Sequence, residues 1–327
     1  MNEPKVTVIV PVYNVEKYIE KCAVSLFEQT LDSLEILFID DCGTDRSVEL
    51  IKQALEHYPL RKEMTRIIKL PSNHGLAGVR RHGIISATGQ YIIHCDGDDW
   101  VDLDLYETMY QTAIEQDADV VVCDEIHECN DGSHLHHVKP LPHSCKTVLK
   151  NWYKDTLEMY CHNKLVRRSL YIDNDILPWE GLNMWEDNGL MTRIFYFGDR
   201  LSQIHGACYH YNRTNLNAMT AGYGIKQIEQ MIAIAGHLTD FFESRPDSED
   251  YAKTVLAFQF LARINLITNS FTNLKRYRRT FVGSETIIPY LDINAFSAKG
   301  RFRFKMVKWH LEWLFVLMFK AKTIFSA

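Results

Sequence analysis

The stretch that decides the fold is VTVIVPVYN, at residues 6–14. Its first five residues form a continuous run rich in β-branched side chains, which is typical of a strand buried on both faces of a parallel sheet. Pro11 ends this run. Asn14 then predicts the start of a helix that extends to about Thr30. The chain therefore begins with a predicted strand followed by a helix.

The same alternation continues to about residue 125. Further strands are predicted at 35–39, 66–70, 91–95 and 119–123, and helices at 47–58, 76–87 and 104–116. Gly89 is predicted to close the third helix. Strand–helix alternation with short loops predicts an open α/β sheet with helices on both faces. Ligands bind such sheets beyond the carboxyl ends of the strands, so we expect the loops 11–14, 40–45 and 96–99 to form one site.

Four aspartates follow the fourth strand within seven residues: Asp96, Asp98, Asp99 and Asp102. Such close like charges repel one another, and a hard divalent cation with oxygen ligands is the usual means of neutralising them. Gly97 allows a tight turn that brings two carboxylates to one point. The alternative is a solvated acidic turn. The position at the predicted ligand-binding edge favours the metal site.

The composition is that of a soluble globular protein, with 46% apolar and 24% charged residues in 327. The net charge of −6 argues against a nucleic-acid partner. Eight cysteines without a C-x-x-C pair, and an N-terminus that leads directly into a strand without a signal peptide, predict a reducing cytoplasm. The apolar stretch 313–319 is too short to span a bilayer.

Beyond residue 125 the pattern is less regular. The segment 132–145 is polar and contains His134, His136, His137 and His143. We predict a mobile surface loop there, with metal binding as the alternative, because the histidines lack a fixed ligand spacing. Residues 227–271 carry long apolar faces at helical spacing, which predicts helices.

Five motifs in the first 125 residues resemble those of the family 2 glycosyltransferases with the GT-A fold. They are VIVPVYN at 8–14, FEQT at 27–30, FIDDCGTD at 38–45, GLAGVR at 75–80 and DGDD at 96–99. Each is weak alone, but five in this order are specific. The resemblance continues more weakly through 185–187 and 209–213. It implies inverting transfer of a sugar from a nucleotide donor with Mn²⁺ or Mg²⁺.

The resemblance also implies which residues bind the nucleotide. Pro11, Val12 and Tyr13 are expected beside the nucleobase as extended chain. Asp41 is expected to accept the uracil imide N–H, the alternative being that it caps the following helix, as we expect of Asp45. Arg80 matches an arginine that contacts the nucleotide, the alternative being a solvated basic helix face. Its neighbour Arg81 stands where the family more often has Asn.

For the metal and the diphosphate, the resemblance points to residues at two places in the chain. Asp96 is expected to contact the ribose or the metal, and Asp98 to coordinate the cation. Arg213 is a candidate for the diphosphate and His210 a candidate third metal ligand, although a lone histidine is more often structural. Asp99 and Asp102 are expected at the start of the next helix. Lys164 lies in a family-like segment without a derived role.

The catalytic base implied by the resemblance is Asp187, which follows Glu186 in an "ED" motif. A single displacement needs such a base to accept the proton of the acceptor hydroxyl. The alternative is that Asp187 caps a helix at 188–196. Trp179 and Trp185 flank the motif, and either stack on sugar rings or belong to the core.

The last 29 residues, 299–327, form a basic tail. They carry seven Lys/Arg and one acid, a local balance of +6, which leaves −12 for the rest of the chain. Basic side chains mixed with Trp309 and Trp313 favour an anionic membrane surface as partner. The alternative is that the tail packs against the body or a partner chain.

The resemblance implies a nucleotide-sugar-binding α/β half at 1–125 and an acceptor-side half of the same GT-A domain at 126–222, and the helical spacing predicts a helical C-terminal region at 223–327. We expect a cytoplasmic, membrane-associated glycosyltransferase that uses a UDP-sugar and a glycan or lipid-linked acceptor. Two alternatives remain. A nucleotidyltransferase would need a Gly-rich basic loop after the first strand, where PVYN stands instead. A nucleotide-sugar-binding scaffold would bind the donor without turnover.

Overall fold

The structure is a computed structural model that describes residues 3–155, 157–215, 219, 224–268 and 270–325. The chain divides into two compact units. The first is Met1–Lys146 with Met159–Ala221, and the second is Thr147–Glu158 with Gly222–Ala327. The sequence prediction assigns 147–158 to the acceptor-side half, whereas this segment groups with the C-terminal helices.

The first unit is built on a nine-stranded sheet. Its strands are β1 Val6–Val12, β2 Leu34–Asp40, β3 Thr65–Lys69, β4 Tyr91–His94, β5 Trp100–Val101, β6 Val120–Cys129, β7 Gly132–His136, β8 Lys164–Arg167 and β9 Leu201–Asn212. The order is β3-β2-β1-β4-β8-β6-β9-β5, and β7 pairs with β6. β1 to β4 are parallel, as are β6 and β9, whereas β8 runs antiparallel between β4 and β6. The predicted α/β sheet is confirmed, with a mixed second half.

Twelve α-helices accompany these strands in the described residues. They are α1 Ile19–Phe27, α2 Ser47–Leu55, α3 Gly75–Ser86, α4 Leu105–Glu115, α5 Cys145–Asp155, α6 Arg168–Asp173, α7 Glu186–Phe197, α8 Ile225–Glu243, α9 Ala252–Arg263, α10 Phe271–Tyr277, α11 Ala298–Lys308 and α12 Glu312–Phe325. α8 to α12 form most of the second unit.

Helices cover both faces of the parallel half of the sheet. On one face, Val6, Val8 and Val10 of β1 belong to a core cluster with buried side chains of α1, α2 and α4. On the other face, α3 approaches so closely that a Cβ at Gly83 would lie 2.3 Å from a methyl carbon of Ile9. Each fully buried aliphatic side chain contributes about 1.5–3 kcal/mol, which is why a continuous apolar run makes a central strand.

Two predicted helix ends are wrong. Asn14 does not cap α1, which begins five residues later; it has a φ of 53° and its Oδ1 accepts a hydrogen bond from the Thr44 N–H at 2.8 Å. Gly89 does not close α3, which ends at Ser86. A Cβ at Gly89 would lie 2.7 Å from the backbone nitrogen of Thr7, so close approach to β1 explains this glycine. In both cases a contact distant in sequence decided the residue's role.

The prediction of a mobile loop at 132–145 is also wrong in part. Residues 132–136 form β7, which pairs with β6 in antiparallel register, from Glu125 opposite His136 to Cys129 opposite Gly132. All five residues of β7 are exposed. A polar strand at a sheet edge has no apolar alternation, so the sequence pattern did not reveal it.

The basic tail folds into α11 and α12 within the second unit. One side of these helices is buried, at Phe304, Met306, Val307, Phe315 and Val316. The ring of Phe304 contacts that of Phe260 of α9 at a tilt of 39°, with ring centroids 5.5 Å apart. Trp309, Trp313, Leu317 and Met318 are exposed. Of the helices in the described part of the chain, none combines the length and the apolar character that crossing a membrane requires.

Candidate active site

The candidate site lies where β1, β2 and β4 end. These strands are parallel neighbours, so the loops that follow them meet at one edge of the sheet. The Asp41 N–H donates to the Val12 carbonyl at 3.0 Å, which ties the second loop to the first. A Cβ at Gly97 would lie 2.7 Å from the Pro11 carbonyl oxygen. The aspartate turn therefore packs directly against 11–14, and only glycine allows this approach.

Asp41 is held by the backbone at the start of α3. Its Oδ1 accepts the His74 N–H at 2.6 Å and its Oδ2 accepts the Gly75 N–H at 2.9 Å, and its side chain is buried. It therefore caps a helix 33 residues away rather than the helix that follows it. Asp45 behaves as expected at the start of α2, where its Oδ1 accepts the N–H and the hydroxyl of Ser47.

Arg80 is the centre of the site rather than a solvated helix-face residue. Its side chain is 3% exposed, and its guanidinium donates to Asp96 Oδ1 at 2.7 Å and also to Glu186 Oε1. Glu186 is 5% exposed. The cation therefore joins the aspartate turn after β4 to the first residue of α7. Arg81 points to the surface, where it pairs with Glu180 at 3.3 Å.

Asp187 lies in the first turn of α7, next to the residue that Arg80 binds. Its Oδ1 accepts from the N–H and the side-chain amide of Asn188, at 2.7 and 3.0 Å. Asn183 anchors the preceding segment, because its Oδ1 accepts the Ala77 N–H of α3 at 3.0 Å. Trp185 has a φ of 67°, which turns the chain into the helix. Arg80 and Asn183 together bring Asp187 to the same edge as Asp96.

The four aspartates of the turn have different partners. Asp98 is partly exposed, and its Oδ2 accepts from the Asn215 side-chain amide at 2.7 Å. Asp99 is buried and accepts from the Tyr209 hydroxyl at 2.5 Å and from the Asn212 N–H at 2.7 Å. The prediction that Asp99 and Asp102 start the next helix is wrong. Asp102 instead accepts the Cys208 N–H at 2.8 Å, so both residues bind β9.

Residues other than Asp96 and Asp98 contact the His210 ring. Its Nδ1 contacts Glu128 at 2.7 Å, its Nε2 contacts Asp102 at 3.0 Å, and its ring stacks on Trp100. Because carboxylates engage both ring nitrogens, His210 offers no free nitrogen to a cation held by Asp98. Arg213 is exposed, with its guanidinium 5.6 Å from the Tyr211 ring centroid.

Of the two tryptophans near Asp187, Trp179 carries the guanidinium of Arg193 over its ring at 3.9 Å. Lys164 is fully buried and donates from Nζ to the Tyr160 carbonyl and to Asn163 Oδ1. Trp179 and Lys164 thus contact other protein groups, which is typical of structural residues.

The sequence did not identify Tyr209 or His162 as site residues. The Tyr209 hydroxyl accepts the Asp96 N–H at 3.0 Å, so one phenol holds both Asp96 and Asp99. His162 stacks on Tyr209 with ring centroids 4.4 Å apart and contacts Glu125 through Nε2 at 3.1 Å. The only sequence signal was their position in family-like segments, because their partners lie 37 to 113 residues away.

Burial and charge act differently on the acidic groups. Burial raises the pKa of Asp98, and the neighbouring Asp96 raises it further. Burial also raises the pKa of Asp187, against the opposing charge of Arg80. Burial would likewise raise the pKa of Asp96, but the charge and hydrogen bond of Arg80 outweigh it and lower this pKa. Asp96 is thus held ionised. The ionised forms of Asp98 and Asp187 are destabilised by burial, so a nearby cation or a bound proton would stabilise these side chains.

The donor set at the aspartate turn fits a hard divalent cation. Asp96 and Asp98 supply carboxylate oxygens, both side chains are partly exposed, and their mutual repulsion raises the pKa of Asp98. Mg²⁺ and Mn²⁺ prefer such oxygen ligands. Asp96 and Asp98 thus offer oxygen ligands that suit such a cation.

The fold occurs in solved glycosyltransferases. TarS of S. aureus, crystallised in complex with UDP-GlcNAc, is 18% identical and matches with a TM-score of 0.68 over 93% of this chain and 90% of that chain. The mannosyltransferase PcManGT from Pyrobaculum calidifontis, in complex with GDP-Man and Mn2+, is 16% identical and matches with a TM-score of 0.56 over 100% of this chain and 88% of that chain. The sheet and its helices thus form the GT-A fold of the glycosyltransferases.

Sequence comparison defines the family. Residues 7–174 match the profile described as "Glycosyl transferase family 2". EpsH of Bacillus subtilis, named as a glycosyltransferase, is 30% identical over 79% of this chain and 75% of its own length. The glycosyltransferase EpsJ of the same organism is 27% identical over 98% of this chain and 96% of its own length. The chain belongs to glycosyltransferase family 2, and it is an enzyme that transfers a sugar from a nucleotide-sugar donor.

Because Arg80 bridges two carboxyl groups, replacing it should destabilise the protein much more than replacing its neighbour Arg81. Arg80→Met leaves Asp96 and Glu186 without their buried cation, so we expect a loss of about 3–5 kcal/mol in the free energy of unfolding. Arg81→Met removes an exposed ion pair and should cost at most about 1 kcal/mol. Urea unfolding followed by circular dichroism measures both. Equal losses in the two variants would contradict the bridge.

Proposed function

We propose that this protein is an inverting, metal-dependent glycosyltransferase that moves a sugar from a UDP-sugar to an acceptor hydroxyl. The observation that carries the proposal is the Arg80 bridge, which brings the aspartate pair and the Glu186-Asp187 pair to one edge of the sheet. One pair is suited to the donor's diphosphate and the other to the acceptor. UDP as the nucleotide is supported by TarS, which was crystallised with UDP and with UDP-GlcNAc.

In this proposal, residues 11–14 and Asp41 form the nucleobase side. Pro11 and Val12 are extended chain at the end of β1, and the next residue, Tyr13, is half exposed, so its ring is available to a base. Asp41 already accepts two backbone N–H groups. Each carboxylate oxygen has a second lone pair, so the uracil imide N–H would be a third donor. Arg213 is exposed and therefore available to the diphosphate.

The proposed metal ligands are Asp98 and Asp96. A bound Mn²⁺ or Mg²⁺ supplies Lewis-acid stabilisation of the negative charge on the departing nucleoside diphosphate. Arg80 keeps Asp96 ionised and oriented, and Tyr209 holds the backbone of the turn in place. His210 is not included, because both of its ring nitrogens contact carboxylates.

Asp187 is the proposed base. The acceptor hydroxyl transfers its proton to the Asp187 carboxylate as the hydroxyl oxygen attacks the anomeric carbon. Burial raises the pKa of Asp187, which makes its carboxylate a better proton acceptor than an exposed aspartate. The two hydrogen bonds from Asn188 to Oδ1 orient the carboxylate.

We further propose a glycan or lipid-linked acceptor and a place on the cytoplasmic side of a membrane. The relatives include a glycosyltransferase named for cholesterol and one named for poly(ribitol-phosphate). The eight cysteines are free, six of them buried, which fits a reducing compartment. The exposed Trp309 and Trp313 lie near exposed Lys305 and Lys308, a combination suited to anionic headgroups.

Asp98→Asn tests the metal assignment. The wild-type protein should bind UDP more tightly with Mn²⁺ than without it, and the variant should lose at least tenfold of that metal-dependent gain. Calorimetric titration with UDP, with and without Mn²⁺, measures this. Asp104→Asn, an exposed aspartate before α4, is the matched control. Intact metal-dependent binding in Asp98→Asn would show that another residue holds the cation.

Asp187→Asn and Asn188→Ala test the base. Asp187→Asn should lower kcat by at least 10²-fold while UDP binding persists. Asn188→Ala removes one hydrogen bond to the ionised carboxylate, so it should raise the pKa of Asp187. Activity requires the ionised form, and the acidic limb of the pH–rate profile should therefore move to higher pH. Release of nucleoside diphosphate from a panel of nucleotide sugars measures both.

This assay, together with a second one that supplies UTP and a sugar phosphate, separates the alternatives. Full activity in Asp187→Asn would reject this base. Metal-dependent UDP binding without turnover on any donor would favour a binding scaffold. Formation of a nucleotide sugar and pyrophosphate from UTP and a sugar phosphate would favour a nucleotidyltransferase.

Replacing the exposed tryptophans tests the membrane proposal. The double variant Trp309→Ser/Trp313→Ser should lose most of its binding to vesicles of phosphatidylcholine mixed with anionic phosphatidylglycerol, measured by co-sedimentation. Leu60→Ser, an exposed apolar residue of the first unit, is the control. Equal binding by the double variant and the wild type would reject these residues as the membrane contact.

A further inference from the structure

A second cluster of metal-ligating groups lies on strands β6 and β9 and just after β7. It consists of Asp124 on β6, His137 after β7 and His205 on β9. The Nδ1 atoms of both histidines lie 2.8 Å from Asp124 Oδ2. The carboxylate is fully buried, whereas the two rings are 64% and 52% exposed. Three ligand atoms from sequence-distant segments thus meet at one point that opens to solvent.

A bulge in β9 creates this arrangement. The register between β6 and β9 passes from Val122 opposite Gln203 to Asp124 opposite Cys208, so 204–207 bulge out against a single residue of β6. Gly206, within the bulge, has a φ of 97°. Bulges re-aim side chains that regular pleating would direct elsewhere. Here the bulge directs His205 onto Asp124.

Outer contacts hold the ligands. Asp124 Oδ1 accepts the Val138 N–H at 2.8 Å, which leaves Oδ2 to the two histidines. His205 Nε2 contacts the Gln203 side-chain amide at 2.9 Å, and Gln203 Oε1 accepts the Leu141 N–H at 2.7 Å. Second partners of this kind orient ligands in protein metal sites. A cavity of about 260 Å³ adjoins the cluster and is lined by Asp124, His137, Ser133 and Leu135 among others.

We propose that Asp124, His137 and His205 form a second metal site, for Zn²⁺ or a similar borderline ion, separate from the aspartate turn. Two imidazoles and one carboxylate suit Zn²⁺, with water as the fourth ligand on the open side. The all-oxygen set of Asp96 and Asp98 suits Mg²⁺ or Mn²⁺ instead. The ion would join β6, β9 and the segment after β7, and so stabilise the folded state.

Binding requires small adjustments that the site can accommodate. Zinc bonds of about 2.0–2.1 Å place tetrahedral ligand atoms roughly 3.3 Å apart, so the rings would move outward by about 0.5 Å. Both rings are exposed and have room to do so. The ring proton of His205 moves from Nδ1 to Nε2, and the Gln203 amide turns over so that Oε1 accepts it, which gives up the hydrogen bond from the Leu141 N–H. This last step makes Gln203 a determinant of affinity.

The test is zinc binding to the full-length protein, freed of metal and of any histidine tag, in competition with a chromophoric chelator. The Asp98→Asn background removes the aspartate-turn ligand and should retain one zinc site. In that background, His137→Ala and His205→Ala should each weaken binding at least tenfold. His143→Ala, an exposed histidine of the same segment outside the cluster, should leave binding unchanged. Zinc should also raise the Tm of the wild type but not of His205→Ala.

Two further variants sharpen the test. Gln203→Glu supplies a carboxylate that accepts both the Leu141 N–H and the His205 Nε2–H, so it should tighten zinc binding several-fold. His134→Ala alters the other possible cluster, Cys129, Asp131 and His134, and should have no effect. Unchanged affinity in His205→Ala, weaker binding in Gln203→Glu, or loss of the site in His134→Ala would each overturn the proposal. Circular dichroism confirms that each variant is folded.

Discussion

A buried guanidinium holds the candidate active site together. The buried Arg80 side chain donates hydrogen bonds to both Asp96 and Glu186. Without this cation, the buried carboxyl group of Glu186 and the partly buried carboxylate of Asp96 would lack their common partner, which costs several kcal/mol. The same contact joins two parts of the chain that are 106 residues apart. The aspartate turn and the first turn of α7 therefore depend on one side chain.

Around this bridge, each remaining carboxylate has a defined environment. Asp41 caps α3, which carries Arg80, and Asn183 fastens the segment before α7 to the same helix. Tyr209 holds Asp99 and the Asp96 N–H from β9. Asp98 and Asp187 are partly exposed, and burial raises the pKa of each. A cation at one and proton acceptance at the other are consistent with these environments.

The histidine-rich region shows a different division of roles. His210 is enclosed between Glu128 and Asp102, whereas His137 and His205 share the carboxylate of Asp124. The difference arises from a bulge in β9 and from the pairing of β7 with β6. The two proposed metal sites therefore differ in chemistry, since one offers oxygen atoms and the other mainly imidazole.

The sequence by itself determined the α/β sheet, its parallel strands, the family and the edge at which the site lies. Each of these depends on local pattern: β-branched runs make buried strands, and loops after parallel strands meet at one edge. Only the tertiary structure decided what individual polar residues do. Asn14, Asp41, Asp99 and Arg80 all received their roles from partners between 16 and 113 residues away. A polar side chain forms a hydrogen bond with the donor or acceptor that the fold brings within about 3 Å. Because that partner is distant in sequence, the hydrophobic periodicity of the chain does not predict it.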